Sequence, residues 1–158
     1  MLIDDGRLIL AAWRDRLVSD SSVVSWADRV IESSLPEDLP EWLLDLSMRG
    51  PARCMAGSSS EFLDVPFLPF LEIFAIRACL LDLKATGQVD AFIEWISRSA
   101  MGEDLDVPEV KFGYQVEHLW CDCSDIDRAR ETVRNELPRL AKLAAPARSL
   151  LLELAKTT

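Results

Sequence analysis

The chain has 158 residues, 49% of them hydrophobic, and carries 27 acidic against 17 basic side chains for a net charge of −10. A chain of this length buries roughly 70% of its unfolded surface, so one domain without a disulfide or metal staple is expected, and the apolar content excludes global disorder. The negative field opposes non-specific binding to nucleic acid or an anionic membrane and favours encounter with a basic protein.

Apolar residues recur at helical spacing almost throughout. Leu8, Ile9, Ala12, Trp13 and Leu17 mark one face of a first helix. Asp20-Ser21-Ser22 is a capping cluster for a second, whose stripe is Val23, Ala27, Val30 and Ile31. Ser34-Leu35-Pro36-Glu37 matches a capping box with an early proline. Leu39, Trp42, Leu43 and Leu46 follow at i, i+3, i+4 and i+7, and Gly50-Pro51 ends that segment. Ser58-Ser59-Ser60-Glu61 is a second capping box. Pro66 and Pro69 then confine the chain to a short turn over 59–64 and a longer helix from Phe67 to Lys84, closed by Gly87.

That helix is apolar nearly all round and is expected at the centre of the fold, with Cys79 inside it as a small buried hydrophobe. A short helix from Val89 to Arg98 turns Phe92, Ile93 and Ile96 inward. Residues 101–109 read as an acidic loop, and Pro108 to Cys121 as a helix weakened at Gly113. Val110–Val116 is the best strand candidate, in second place to that helix. Ser124-Asp125-Ile126-Asp127 resembles an N-cap. It opens a last helix with Ile126, Ala129, Val133, Leu137, Leu140, Ala144 and Ala147, kinked at Pro138 and kinked or broken at Pro146. The predicted class is all-α: an irregular bundle of six to eight helices around the central apolar helix, in a single domain spanning 1–158.

The charge is unevenly placed. Residues 1–125 hold 23 acidic and 10 basic side chains, net −13, whereas residues 126–158 hold four and seven, net +3. Asp4 and Asp5 break any basic-plus-apolar leader. The longest apolar run, Phe62–Leu83, is interrupted by Asp64, Glu72, Arg77 and Asp82, so no membrane span of roughly 18 apolar residues is expected. A reducing cytoplasm is the expected compartment for Cys54, Cys79, Cys121 and Cys123.

No Gly-x-Ser-x-Gly elbow and no glycine-rich phosphate loop occurs among the six glycines. His118 is the single histidine and would have to serve as base in any nucleophile–base pair. His118-Leu119-Trp120-Cys121-Asp122-Cys123 offers imidazole and sulfur of the kind zinc takes. On an α-helix residues 118 and 121 share a face, but residue 123 is turned about 140° from 118. No catalytic residue, metal or cofactor is expected. A metal-binding or enzymatic domain built on His118, Cys121 and Cys123 is the alternative. Glu72 and Arg77 are five apart, so each needs a partner on another helix or a polar edge.

Trp13 and Trp42 fit apolar stripes and read as core. Trp26 lies off its helix's main stripe, which suits packing or a partly exposed binding anchor. The acidic segments Glu37-Asp38, Glu41 and Asp45, and Glu103-Asp104, Asp106 and Glu109, read as solvated faces or as one anionic surface if folding gathers them.

Ser25-Trp26-Ala27-Asp28-Arg29-Val30-Ile31 and Pro40-Glu41-Trp42-Leu43-Leu44-Asp45-Leu46-Ser47 resemble a pattern in small acidic bacterial proteins grouped with toxin-immunity proteins. The resemblance covers Val23 to Met48, under a fifth of the chain. It implies a non-catalytic protein that neutralises a basic toxin domain through an acidic surface. From the residues themselves, the expected contacts are Asp28, Glu37, Asp38, Glu41 and Asp45, with Trp26 as anchor. A third reading is a structural or regulatory subunit that pairs with another chain through Ile126–Leu154; oligomeric state is not encoded in any pattern of the sequence.

Overall fold

The helical spacing is realised as eight α-helices in the computed structural model, which describes residues 2–57, 65–141 and 146–156. They are α1 (Leu2–Arg14), α2 (Asp20–Ser33), α3 (Glu41–Ala56), α4 (Phe70–Leu80), α5 (Thr86–Ser99), α6 (Pro108–Glu117), α7 (Ile126–Leu140) and α8 (Pro146–Lys156). A 3-10 turn, Pro36–Asp38, precedes α3, and a π-helical turn, His118–Asp122, follows α6. The all-α class holds, with no strand among the described residues. No helix among them is long and apolar enough to cross a membrane.

The chain divides into two compact units, residues 1–68 with 145–158, and residues 69–144. In the first, α2 packs along α3, and α1 and α8 lie against α2. Its buried residues include Ile9, Leu10, Ala12, Val23, Ala27, Leu43, Leu46, Leu151 and Leu154. Trp26 and Trp42 stack at 6.4 Å between ring centroids, which joins α2 to α3.

Local chemistry sets the boundaries. Ser19 caps α2 by accepting a hydrogen bond from the Ser22 amide at 3.2 Å, one residue before the predicted cluster. The predicted capping box at Ser34 is not used as one. Ser34 instead ends α2, its hydroxyl donating to the Val30 carbonyl at 2.7 Å. Pro40 is the reason. The residue before a proline is pushed out of the α region, and Leu39 is extended at φ −80°, ψ 115°. The helix therefore restarts at Glu41. Gly50, at φ 75°, kinks α3 ahead of Pro51, a conformation open to glycine.

The second unit has a continuous core. Phe74, Val89, Phe92, Ile93, Ile96, Val110, Phe112, Val116, Ala129, Val133 and Leu137 are buried together. Phe74 meets Phe92 and Phe112 edge-on at 6.1 and 6.3 Å, and Phe70 stacks on Trp95 at 6.0 Å. The long apolar helix predicted over Phe67–Lys84 is confined to Phe70–Leu80, with Pro69 at its N-cap and Leu81 extended at its end. Gly87 lies inside α5 and does not close α4. Cys79 is exposed, contrary to the expectation of burial, because the inward face of α4 is Phe74, Ala75 and Ile76. Gly113 sits where a Cβ would lie 2.5 Å from the Ala100 Cβ, so glycine is what lets α6 approach α5.

Asp125 caps α7, accepting from the Arg128 amide at 3.3 Å, as its position predicts. Arg130 forks onto Asp90 of α5 with two bonds of 2.7 Å. Arg134 donates to the Leu83 carbonyl and to Thr86 at 3.0 and 3.2 Å. The predicted final helix is broken before Pro146, which opens α8. The capping box at 58–61 and the turn over 59–64 lie outside the described residues.

Candidate functional site

The predicted acidic contacts fall on the first unit, around α2, the 3-10 turn and α3. Glu37 and Asp38 are exposed on the turn, and Glu41 is exposed at the start of α3. None of the three makes an ion pair among the described residues. Asp45 lies one helical turn beyond Glu41 and pairs with Arg49 at 3.5 Å. An exposed pair at this spacing contributes about 0.3–0.5 kcal/mol, too little to hold Arg49 against a better-placed cation. Asp28 is exposed on α2 and accepts a hydrogen bond from the Ser47 hydroxyl of α3, so it borders the same surface.

Three apolar side chains share this region, and the sequence reading passed over them. Leu35 is 61% exposed, Leu44 37% and Met48 74%. Leu44 and Met48 are four apart on α3, on the face opposite buried Trp42, Leu43 and Leu46. The signal was legible: both fall outside the apolar stripe while being apolar themselves.

Trp26 is 6% exposed. Its ring is covered by Trp42, so it is a core residue and not the surface anchor proposed for it. Beside the 3-10 turn lies a recess of about 480 Å³ lined by Leu2, Ile3, Leu39, Pro40 and Trp42 together with Glu37 and Asp38. An apolar wall with carboxylates at its edge fits the aliphatic stem and charged head of a lysine or arginine.

The second acidic segment belongs to the other unit. Glu103, Asp104 and Asp106 are exposed, with Asp104 turning back to accept from the Asp106 amide at 2.9 Å. Glu109 is only 5% exposed and drops out of any acidic surface.

His118, Cys121 and Cys123 are all exposed on the π-helical turn. The Cys123 amide donates to the His118 carbonyl at 3.0 Å, the i to i+5 bond of that turn. The wider turn overturns the α-helical expectation that 123 points away from 118. Cys123 Sγ lies 3.4 Å from His118 Nε2, and Asp122 Oδ2 lies 2.8 Å from His118 Nδ1. The two partners sit on opposite ring nitrogens and do not converge on a common ion. Among the described residues no group of three or more His, Cys, Asp or Glu side chains is arranged to hold a metal.

Part of the apolar stripe over Ile126–Leu154 is used internally. Ala129, Val133 and Leu137 are buried in the second unit, and Leu151 and Leu154 are buried in the first. Comparison with protein-family models, with curated proteins and with solved structures finds no match to this chain.

Proposed function

We propose that the chain is a non-catalytic binding protein of the immunity type, which neutralises a basic toxin domain by docking it on the exposed face around the 3-10 turn and α3. The reading rests on one observation: the stretch from Leu35 to Met48 exposes carboxylates at Glu37, Asp38 and Glu41 together with apolar side chains at Leu35, Leu44 and Met48. Carboxylates speed the approach of a cationic protein, and the apolar side chains supply contact area that binding can bury. The recess beside Glu37 and Asp38 would take one basic side chain of the partner. Asp28 and Asp45 extend the negative border. Four free cysteines suit the reducing cytoplasm in which such a protein would meet its toxin.

The test is equilibrium titration against the products of the adjoining genes, among which a basic protein is expected to bind. The double variant Leu44→Ala/Met48→Ala is expected to weaken binding by about 10-fold or more, as apolar contact area is lost. Unchanged affinity in this variant would remove the apolar part of the surface. Absence of any binding by the wild-type chain would remove the reading altogether.

A further inference from the structure

The π-helical turn after α6 builds an arrangement that the docking surface does not use. His118 donates through Nδ1 to Asp122 at 2.8 Å, which leaves the lone pair of Nε2 facing the Cys123 thiol at 3.4 Å. A thiol, a base on its sulfur and a carboxylate on the base's other nitrogen are the parts of an activated nucleophile. The turn is fixed at both ends. Leu119 is buried in the core of its unit, the Asp125 amide donates to the Leu119 carbonyl at 2.9 Å, and Asp125 also caps α7. Ser124, next to the thiol, has φ 53°, a left-handed conformation uncommon for a side chain other than glycine. His118 and Asp122 are 63% and 62% exposed, so the group is open to solvent and suits a small reagent better than a substrate that needs a cleft.

We propose that Cys123 is a reactive thiol that exchanges with low-molecular-weight disulfides, with His118 as its base and Asp122 as a positioning residue. His118 Nε2 takes the proton of the Cys123 thiol as the sulfur attacks one sulfur of a disulfide R–S–S–R. A Cys123–S–S–R bond forms, the R–S–S–R bond breaks, and the leaving thiolate takes the proton from His118 as R–SH. The cysteine is oxidised to the disulfide level and half of the reagent is reduced, so the exchange needs no other oxidant.

The protein carries its own controls. Cys121 and Cys79 are exposed without such a partner among the described residues. Cys54 is buried, and burial first, then the Asp45 charge, pushes its thiol above the ordinary range. Full-length protein is treated with glutathione disulfide, and the rate at each cysteine is read by peptide mass spectrometry. Cys123 is expected to react at least about 10-fold faster than Cys121, and His118→Gln to bring it to the Cys121 rate. His118 is the single histidine, so its ring nitrogen resonances are unambiguous. Asp122→Asn is expected to slow Cys123 and to convert the Nδ1–H tautomer that the Asp122 carboxylate favours to a mixture.

Equal rates at Cys123 and Cys121 in the wild type would overturn the proposal, as would full Cys123 reactivity in His118→Gln. Labelling of Cys54 reports loss of fold in any variant, and the wild-type ratio of Cys123 to Cys121 decides the matter even then.

Discussion

Gly113 shows how one residue sets a helix contact. A methyl group there would meet the Ala100 Cβ at 2.5 Å and Ile96 Cγ1 at 3.1 Å. Overpacking of this kind costs about 1–3 kcal/mol, against which alanine regains about 1 kcal/mol of helix propensity. Gly113→Ala is therefore expected to destabilise the protein by up to about 2 kcal/mol in urea unfolding, and adding Ala100→Gly should return part of the loss. From sequence, glycine in a helical stretch reads only as a weakness; its packing reason lies in a helix that no local pattern names. Asp90 is the second case. Two hydrogen bonds from Arg130 hold its carboxyl below the usual carboxylate range, with partial burial opposing and the Arg130 and Arg134 charges assisting. The Arg130 guanidinium is raised in turn by the same bond. A carboxyl whose folded value is lowered adds stability that is complete above its unfolded value, about 3.9, and lost as pH falls through the folded value. The melting temperature of Asp90→Asn is expected to lie a few °C below wild type at pH 7, with the gap closing below about pH 4. A gap that stays constant to the lowest pH would contradict this assignment.

At the scale of elements, apolar periodicity located the helices well and their ends less well. The stripes Val23/Ala27 and Trp42/Leu43/Leu46 are buried as their spacing requires. Two boundaries moved where proline competed with a longer pattern, at Pro40 and Pro69. Trp26 shows why a helical wheel alone misleads. It lies off the main stripe of α2, yet α3 supplies a second wall, and the Trp42 ring covers it. Trp26→Ala is expected to cost about 3–5 kcal/mol of stability. The milder Trp26→Phe should leave affinity for a basic partner unchanged, since the ring makes no surface contact; a large loss of affinity in folded Trp26→Phe would restore the anchor role. The π-helical turn was out of reach for a different reason. A 3.6-residue repeat separates residues 118 and 123, and only the i to i+5 hydrogen bond of the folded chain brings them together.

For the whole molecule, charge is the property that sequence states most directly. A net charge of −10 and the +3 balance of residues 126–158 follow from composition, and part of that cationic segment is engaged as Arg130 and Arg134 on α5 and the loop before it. Which acids face solvent is a matter of tertiary structure: Glu37, Asp38 and Glu41 do, Asp45 is half-buried beside Arg49, and Glu109 is buried. If the exposed three steer a basic partner, their effect belongs chiefly to the rate of encounter, and salt must weaken it. The decisive measurement is the association rate with a basic protein that the wild-type chain binds, followed by stopped flow across ionic strength, for wild type and for Glu37→Lys/Asp38→Lys/Glu41→Lys. The account predicts a wild-type rate that falls steeply with salt, and a variant slower by about 10-fold or more at low salt with a flattened dependence. Identical rates and identical salt dependence in the two proteins would contradict it.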